Sequence, residues 1–83
     1  MLTVSLISPE QILFDGEARS VVAPAFDGEV GILTDHAPMM TLLGRGTLRV
    51  EAPAGTRRFS VEGGFLQVVQ NRIRVVTEKA AAL

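Results

Sequence analysis

The residues best equipped for chemistry fall in a few short clusters. Asp27-Gly28-Glu29-Val30-Gly31 brings two carboxylates and two glycines into five positions. Paired carboxylates can divide acid and base work in hydrolysis, but they must then face a substrate from different sides. Here Asp27 and Glu29 sit on one loop, and no second element supplies a group to oppose them. A Ca²⁺ loop needs oxygen ligands at alternating positions over about a dozen residues, and those are missing. The cluster reads either as a plain polar turn or as a docking loop with an acidic tip. His36 follows Asp35 and precedes Ala37-Pro38. An Asp–His pair serves nucleophilic catalysis only beside a nucleophile, and no serine here sits in an elbow motif. A lone histidine otherwise anchors a loop or makes a pH-sensitive contact. Gly44-Arg45-Gly46 opens like a dinucleotide fingerprint, but Arg49 holds the third glycine position and no helix follows. Arg57, Arg58, Arg72 and Arg74 lack the interleaved aromatics of a base-stacking surface and read as a solvated face. No catalytic, cofactor-binding or metal-binding residue emerges, and no cofactor is expected.

The elements that must carry these residues have a period of two. Leu48, Val50 and Ala52 alternate with Thr47, Arg49 and Glu51; Phe59 and Val61 alternate with Arg58, Ser60 and Glu62. Pro53-Ala54-Gly55 between them reads as a hairpin turn. A second hairpin joins residues 65–69 to 73–77 through Gln70-Asn71-Arg72, with Asn71 suited to positive φ. Residues 3–7 and 19–25 read as strands, the latter with Val21 and Ala23 on one face. Asp15-Gly16 fits a tight turn or a bulge in one bent strand. Gly63-Gly64 inside a strand pattern suggests a bulge or a close backbone approach. Met39 and Met40 are adjacent on a strand, so one reaches the core and the other stands exposed or covered by a partner. The end, residues 78–83, has high helix propensity but is too short for a stable helix, and reads as the first turn of a longer one. Short strands at this spacing give an all-β chain, an antiparallel sandwich or barrel.

Composition excludes much else. The 83 residues allow one domain. Eight Lys+Arg against nine Asp+Glu leave a formal charge of −1, which argues against a nucleic-acid binder held by phosphate contacts. With no cysteine and one histidine, disulfides, thiolate metal sites and histidine-rich metal centres are ruled out. No apolar run approaches the roughly 20 residues of a membrane span, and Met1 to Ser5 carry no basic leader. The expected location is cytosolic, with any membrane association made through partners. A mean hydropathy of +0.32 is high for so small a soluble domain and points to a component of an assembly.

The order of segments resembles the N-terminal β-sandwich domain of the epsilon subunit of F-type ATP synthases. The resemblance runs through Ser8-Pro9-Glu10, residues 13–18 (Leu-Phe-Asp-Gly-Glu-Ala), residues 27–33 (Asp-Gly-Glu-Val-Gly-Ile-Leu) and His36-Ala37-Pro38. It continues through residues 63–68 (Gly-Gly-Phe-Leu-Gln-Val) and 75–78 (Val-Val-Thr-Glu). It covers nearly the whole chain and implies a flattened sandwich of about ten short strands. It also implies a non-catalytic subunit of the rotary central stalk, which packs on the gamma subunit and rests on the polar loops of the c-ring. There it couples proton-driven rotation to ATP synthesis on the alpha/beta catalytic subunits. Glu29 and His36 are then c-ring contacts, and Ser8, Met39, Met40 and Leu42 gamma contacts. The implied location is peripheral, on the cytoplasmic face of a bacterial cell membrane, with no direct membrane insertion and no nucleic acid bound.

Two departures from the family pattern stand out. Thr34-Asp35 replaces the usual Pro-Gly turn before His-Ala-Pro. Typical members continue from about residue 80 into a C-terminal helical hairpin that these 83 residues do not include, as expected of a naturally short form or of a truncated one. On this reading residues 1–79 are the sandwich domain and 80–83 a short tail where the hairpin would begin. Neither self-inhibition by a C-terminal arm nor an ATP site is expected. Two other classes compete. A small β-sandwich ligand-binding module, for carbohydrate for example, wants exposed aromatics, and the chain has four Phe with no Trp or Tyr. A hydrolase built on Asp27 and Glu29 fails on placement.

Overall fold

Alternation sorts the side chains of a strand to two faces, so each strand here has one apolar side that must be covered. The computed structural model describes residues 1–83. Ten strands follow in chain order: β1 (Leu2–Ile7), β2 (Ile12–Ala18), β3 (Ser20–Ala25), β4 (Gly28–Leu33), β5 (Met39–Leu42), β6 (Arg45–Ala52), β7 (Gly55–Glu62), β8 (Phe65–Val69), β9 (Arg72–Val76) and β10 (Lys79–Ala82). They form two five-stranded sheets, sheet A in the order β2-β1-β9-β8-β5 and sheet B in the order β10-β7-β6-β3-β4. Every pair of neighbours is antiparallel except β1 and β9, which run parallel. The body measures 27 × 27 × 19 Å. This is the flattened ten-stranded sandwich that the resemblance implies, and it decides between the sandwich and the barrel that the period of two left open.

The inward faces meet in one core. Leu2, Val4 and Leu6 of β1 share one buried cluster with Leu48 and Val50 of β6 and Phe59 and Val61 of β7. Burial of each such side chain stabilises the fold by about 1.5–3 kcal/mol. Phe59 meets Phe14 edge to face, with ring centroids 6.2 Å apart. The guanidinium of Arg57 lies over both rings, 5.4 Å from Phe59 and 5.7 Å from Phe14. It thereby caps the core between β7 and β2.

The turns follow their residues. Gln70 and Asn71 form a two-residue hairpin loop with φ of 49° and 64°, the two positive values that match strand twist. The glycine pair marks a close approach, as the strand pattern suggests. Gly63 and Gly64 have φ of 71° and 96°, and a side chain on Gly64 would overlap Val76 O and Thr77 Cα.

Three segments differ from the sequence reading. Asp15-Gly16 is neither turn nor bulge: Gly16 pairs with Val4 inside a continuous β2. The bulge lies earlier, where Leu6 pairs with Phe14 and Ile7 with Ile12, so that Leu13 turns onto the core. The acidic loop of residues 27–31 shrinks to a two-residue turn, Phe26-Asp27, followed by β4. Glycine there suits an edge strand, where a Cβ on Gly31 would meet nothing. At the end, Lys79–Ala82 pairs as β10 with β7, from Lys79↔Glu62 to Ala82↔Phe59. One helical turn is unstable in water, while the edge of β7 offers a row of backbone partners. Ala80 packs on the core, and the sheet continues through Ala82.

Candidate functional site

Strand register decides what the outer surfaces present. In sheet A, Leu6, Val75 and Leu66 point inward and are buried, so their neighbours Ile7, Val76 and Phe65 point out. Ile12 stands opposite Ile7, Ile7 opposite Val76, Val76 opposite Phe65, and Phe65 opposite Leu42. One apolar row therefore crosses the outer face of all five strands. Its ends, Ile12 and Leu42, are 64% and 63% exposed, and the three between are half-buried. Met40, next outward on β5, is equally exposed. Phe26, in the β3–β4 turn, is exposed as well, and its N–H donates to Leu42 O at 3.0 Å. Contiguous exposed apolar side chains rimmed by polar loops mark a protein-interaction surface.

The candidate residues take defined places around this row. Ser8 lies in the β1–β2 turn, beside Ile7; its Oγ and N–H both donate to Gln11 O, at 3.3 and 2.9 Å. Met40 and Leu42 face outward, while Met39 pairs opposite Val68 and packs on the core. The two methionines thus divide between core and surface, as alternation requires. Glu29 is exposed near the start of β4, opposite Pro24. His36 lies past the other end of β4, its N–H donating to Leu33 O at 3.2 Å. About 13 Å of extended strand separates Glu29 from Leu33, so Glu29 and His36, the two expected c-ring contacts, stand at opposite ends of β4.

No arrangement for catalysis assembles. Asp27 and Glu29 are exposed on the turn and the edge strand that follows. Asp35 and His36 do not form a dyad: the Asp35 carboxylate accepts from Asn71, and His36 Nδ1 donates to Ala37 O at 2.7 Å. No group of three His, Asp or Glu side chains is placed to hold a metal ion. The larger of two surface hollows, about 540 Å³, opens on the outer face of sheet B between Thr47, Ser60, Lys79 and Leu83, on a different sheet from the apolar row.

Sequence reasoning missed four members of the row: Ile7, Ile12, Phe65 and Val76. Each is one apolar residue in the outward phase of a strand whose inward phase is also apolar. That doubled phase is the signal that could have found them; only the pairing register lines them up.

Three comparisons bear on family. The chain matches, over residues 1–82, the family model described as ATP synthase, Delta/Epsilon chain, beta-sandwich domain. An ATP synthase epsilon chain of Leptospira borgpetersenii is 44% identical over 80 residues, covering 96% of this chain and 63% of that one. The chain thus spans less than two thirds of that relative. An ATP synthase epsilon chain of Caulobacter vibrioides is 40% identical over 79 residues, covering 95% of this chain and 92% of that one. Among solved structures, a chain of the Euglena gracilis mitochondrial ATP synthase, in an OSCP/F1/c-ring complex, superposes with a TM-score of 0.89. It is 23% identical, and the match covers 98% of this chain and 52% of that one. The likeness carries the fold, and the family model and the Caulobacter relative carry the kinship: this chain belongs to the delta/epsilon-chain β-sandwich family of ATP synthase.

Proposed function

We propose that the chain is a non-catalytic central-stalk subunit of an F-type ATP synthase. It seats on the gamma subunit through the outer face of sheet A and couples proton-driven rotation to ATP synthesis on the alpha/beta catalytic subunits. The observation that carries this reading is the apolar row from Ile12 to Leu42, which crosses a whole sheet without serving the core. Ser8 flanks one end of the row, and Leu42 and Met40 continue it along β5 toward the His36 loop. Met39 acts from beneath, holding β5 to the core. Asp27 and Glu29, at the β3–β4 turn, face the polar loops of the c-ring, while His36 extends the gamma contact at the opposite end of β4. Attachment to the cytoplasmic face of the membrane is peripheral and runs through these partners. Stiffness suits the role, because a rotor coupling must not deform under torque, and a sandwich with one packed core supplies it.

Titration calorimetry of this chain against the gamma subunit of the same source tests the reading. The expected result is one-to-one binding at about micromolar affinity or tighter, with the negative heat-capacity change of apolar burial. Absence of binding at about 50 µM with both proteins folded sinks it.

A further inference from the structure

The β4–β5 connection, residues 34–38, carries the chain from sheet B to sheet A and bears His36. Within it Asp35 has φ of 66°, a left-handed conformation that side chains with a Cβ disfavour. Its N–H donates to Oδ1 of Asn71 at 2.6 Å, and Asn71 Nδ2 donates back to Asp35 Oδ1 at 3.1 Å. Asn71 belongs to the β8–β9 hairpin of sheet A. Its own carbonyl accepts the Thr3 N–H at 2.8 Å, which fixes the hairpin to β1. The chain has three non-glycine residues with positive φ, Asp35, Gln70 and Asn71, and all three meet at this junction. Strained backbone persists where surrounding contacts over-determine it. Among the hydrogen bonds of residues 34–38, only the pair to Asn71 reaches sheet A; the others, to Leu33 O and Ala37 O, are local.

We propose that Asp35 and Asn71 form a latch between the β4–β5 connection and the β8–β9 hairpin that holds the His36 loop in one conformation, ready for its protein partner. The part concerning the partner rests on the gamma contact proposed above. The chemistry asks for an amide at position 71. One side chain must accept from a backbone N–H and donate to a carboxylate, and it must tolerate left-handed φ; asparagine does all three. Aspartate there keeps the shape and the acceptor but sets a carboxylate against Asp35. Glycine keeps the turn and removes both bonds. A loop fixed beforehand binds more tightly because less ordering remains to be done on contact.

Asn71→Gly tests the latch in the 83-residue chain, read by amide hydrogen exchange and the ring resonances of His36. The expected result is exchange at Asp35 and His36 faster by about tenfold or more, since both bonds to the Asn71 side chain are lost, with Leu48 and Val50 unchanged. Affinity for gamma is expected to fall by a similar factor, since the loop must then be ordered on binding. Should the glycine variant fold poorly, Asn71→Asp tests the other half of the latch: it keeps the acceptor for the Asp35 N–H but replaces the donated bond with a carboxylate set against Asp35, and shifted His36 resonances are then the expected result. Unchanged exchange and unchanged His36 resonances in a folded variant overturn the latch. Faster exchange with undiminished gamma affinity supports the latch and removes His36 from the gamma contact. Failure of the wild-type chain to bind gamma overturns the functional reading alone, and the exchange data still decide the latch.

Discussion

At the same end of the molecule the two sheets show the outside world opposite chemistries. Across sheet A run Ile12, Ile7, Val76, Phe65 and Leu42; across sheet B the corresponding outward positions of β10, β7 and β6 are Lys79, Glu62 and Arg45, one cross-strand set. Further along sheet B come Ala81, Ser60 and Thr47, and then Arg58 opposite Arg49. The inner faces of the two sheets, by contrast, are alike in Leu, Val, Ile and Phe. Folding therefore accounts for the inner faces, and it does not call for the apolar row outside. A sheet with one polar and one apolar face is ordinary in a sandwich; the outer face of sheet A is polar in its next row, Asp15, Ser5, Arg74 and Gln67, and the single apolar row across it marks the strip that a partner can cover.

The comparison can be broken at several points. The largest effect is expected from Phe59→Ala, which empties the shared core between Phe14 and Arg57. A loss of about 3–5 kcal/mol in denaturant unfolding is expected, with every surface function lost together. Next comes the outer face of sheet A. Phe65→Asp combined with Leu42→Asp should weaken gamma binding by about 2–4 kcal/mol, as for central anchors of an interface. Its unfolding midpoint should stay near that of the wild type, and a collapse of stability instead would make the row part of the fold. Glu29→Arg should lower retention on membranes carrying the c-ring by about 1 kcal/mol, more at low salt, while the isolated fold stays intact. An unfolded Glu29→Arg chain reduces Glu29 to a turn residue. The smallest effect belongs to sheet B. Arg45→Ala removes the one ion pair, a 3.9 Å contact to Glu62 with both side chains half or more exposed. It should shift stability and gamma binding by less than about 0.5 kcal/mol. A large loss of gamma binding there would move the interface to the other sheet.

Much of this was legible in the residues. Leu48, Val50 and Ala52, Phe59 and Val61, and Val21 and Ala23 are all inward, because a period of two is a local property and one buried face enforces it. The division of Met39 from Met40 followed from the same rule. What failed to show was non-local or a contest between local and tertiary forces. Lys79 to Ala82 have the residues of a helix, and edge pairing with β7 overrides them. Glycines at 28 and 31 signal turns, yet an edge strand accommodates them. The apolar row is spread over residues 7, 12, 42, 65 and 76, and no window of sequence contains it. Thr34-Asp35 carries no glycine or proline to name a turn type, so the turn before His36 stayed open in the sequence. Its left-handed Asp35 becomes intelligible only with Asn71 in place, 36 positions later.

The parallel pairing of β1 with β9 bears on how the chain is made. Residues 3–7 take their central partners from residues 72–76, so a growing polypeptide presents β1 with only β2 beside it until residues 72–76 have been synthesised. Four of the five strands of sheet B suffer no such delay, for β3, β4, β6 and β7 pair within residues 20–62 and only the edge strand β10 joins later. Assembly on the ribosome would thus be sequential, one layer waiting with its greasy side bare for the other to close. Because distant pairings are the slow ones, that waiting layer is the stage at which a chaperone, or the partner subunit itself, has most to protect.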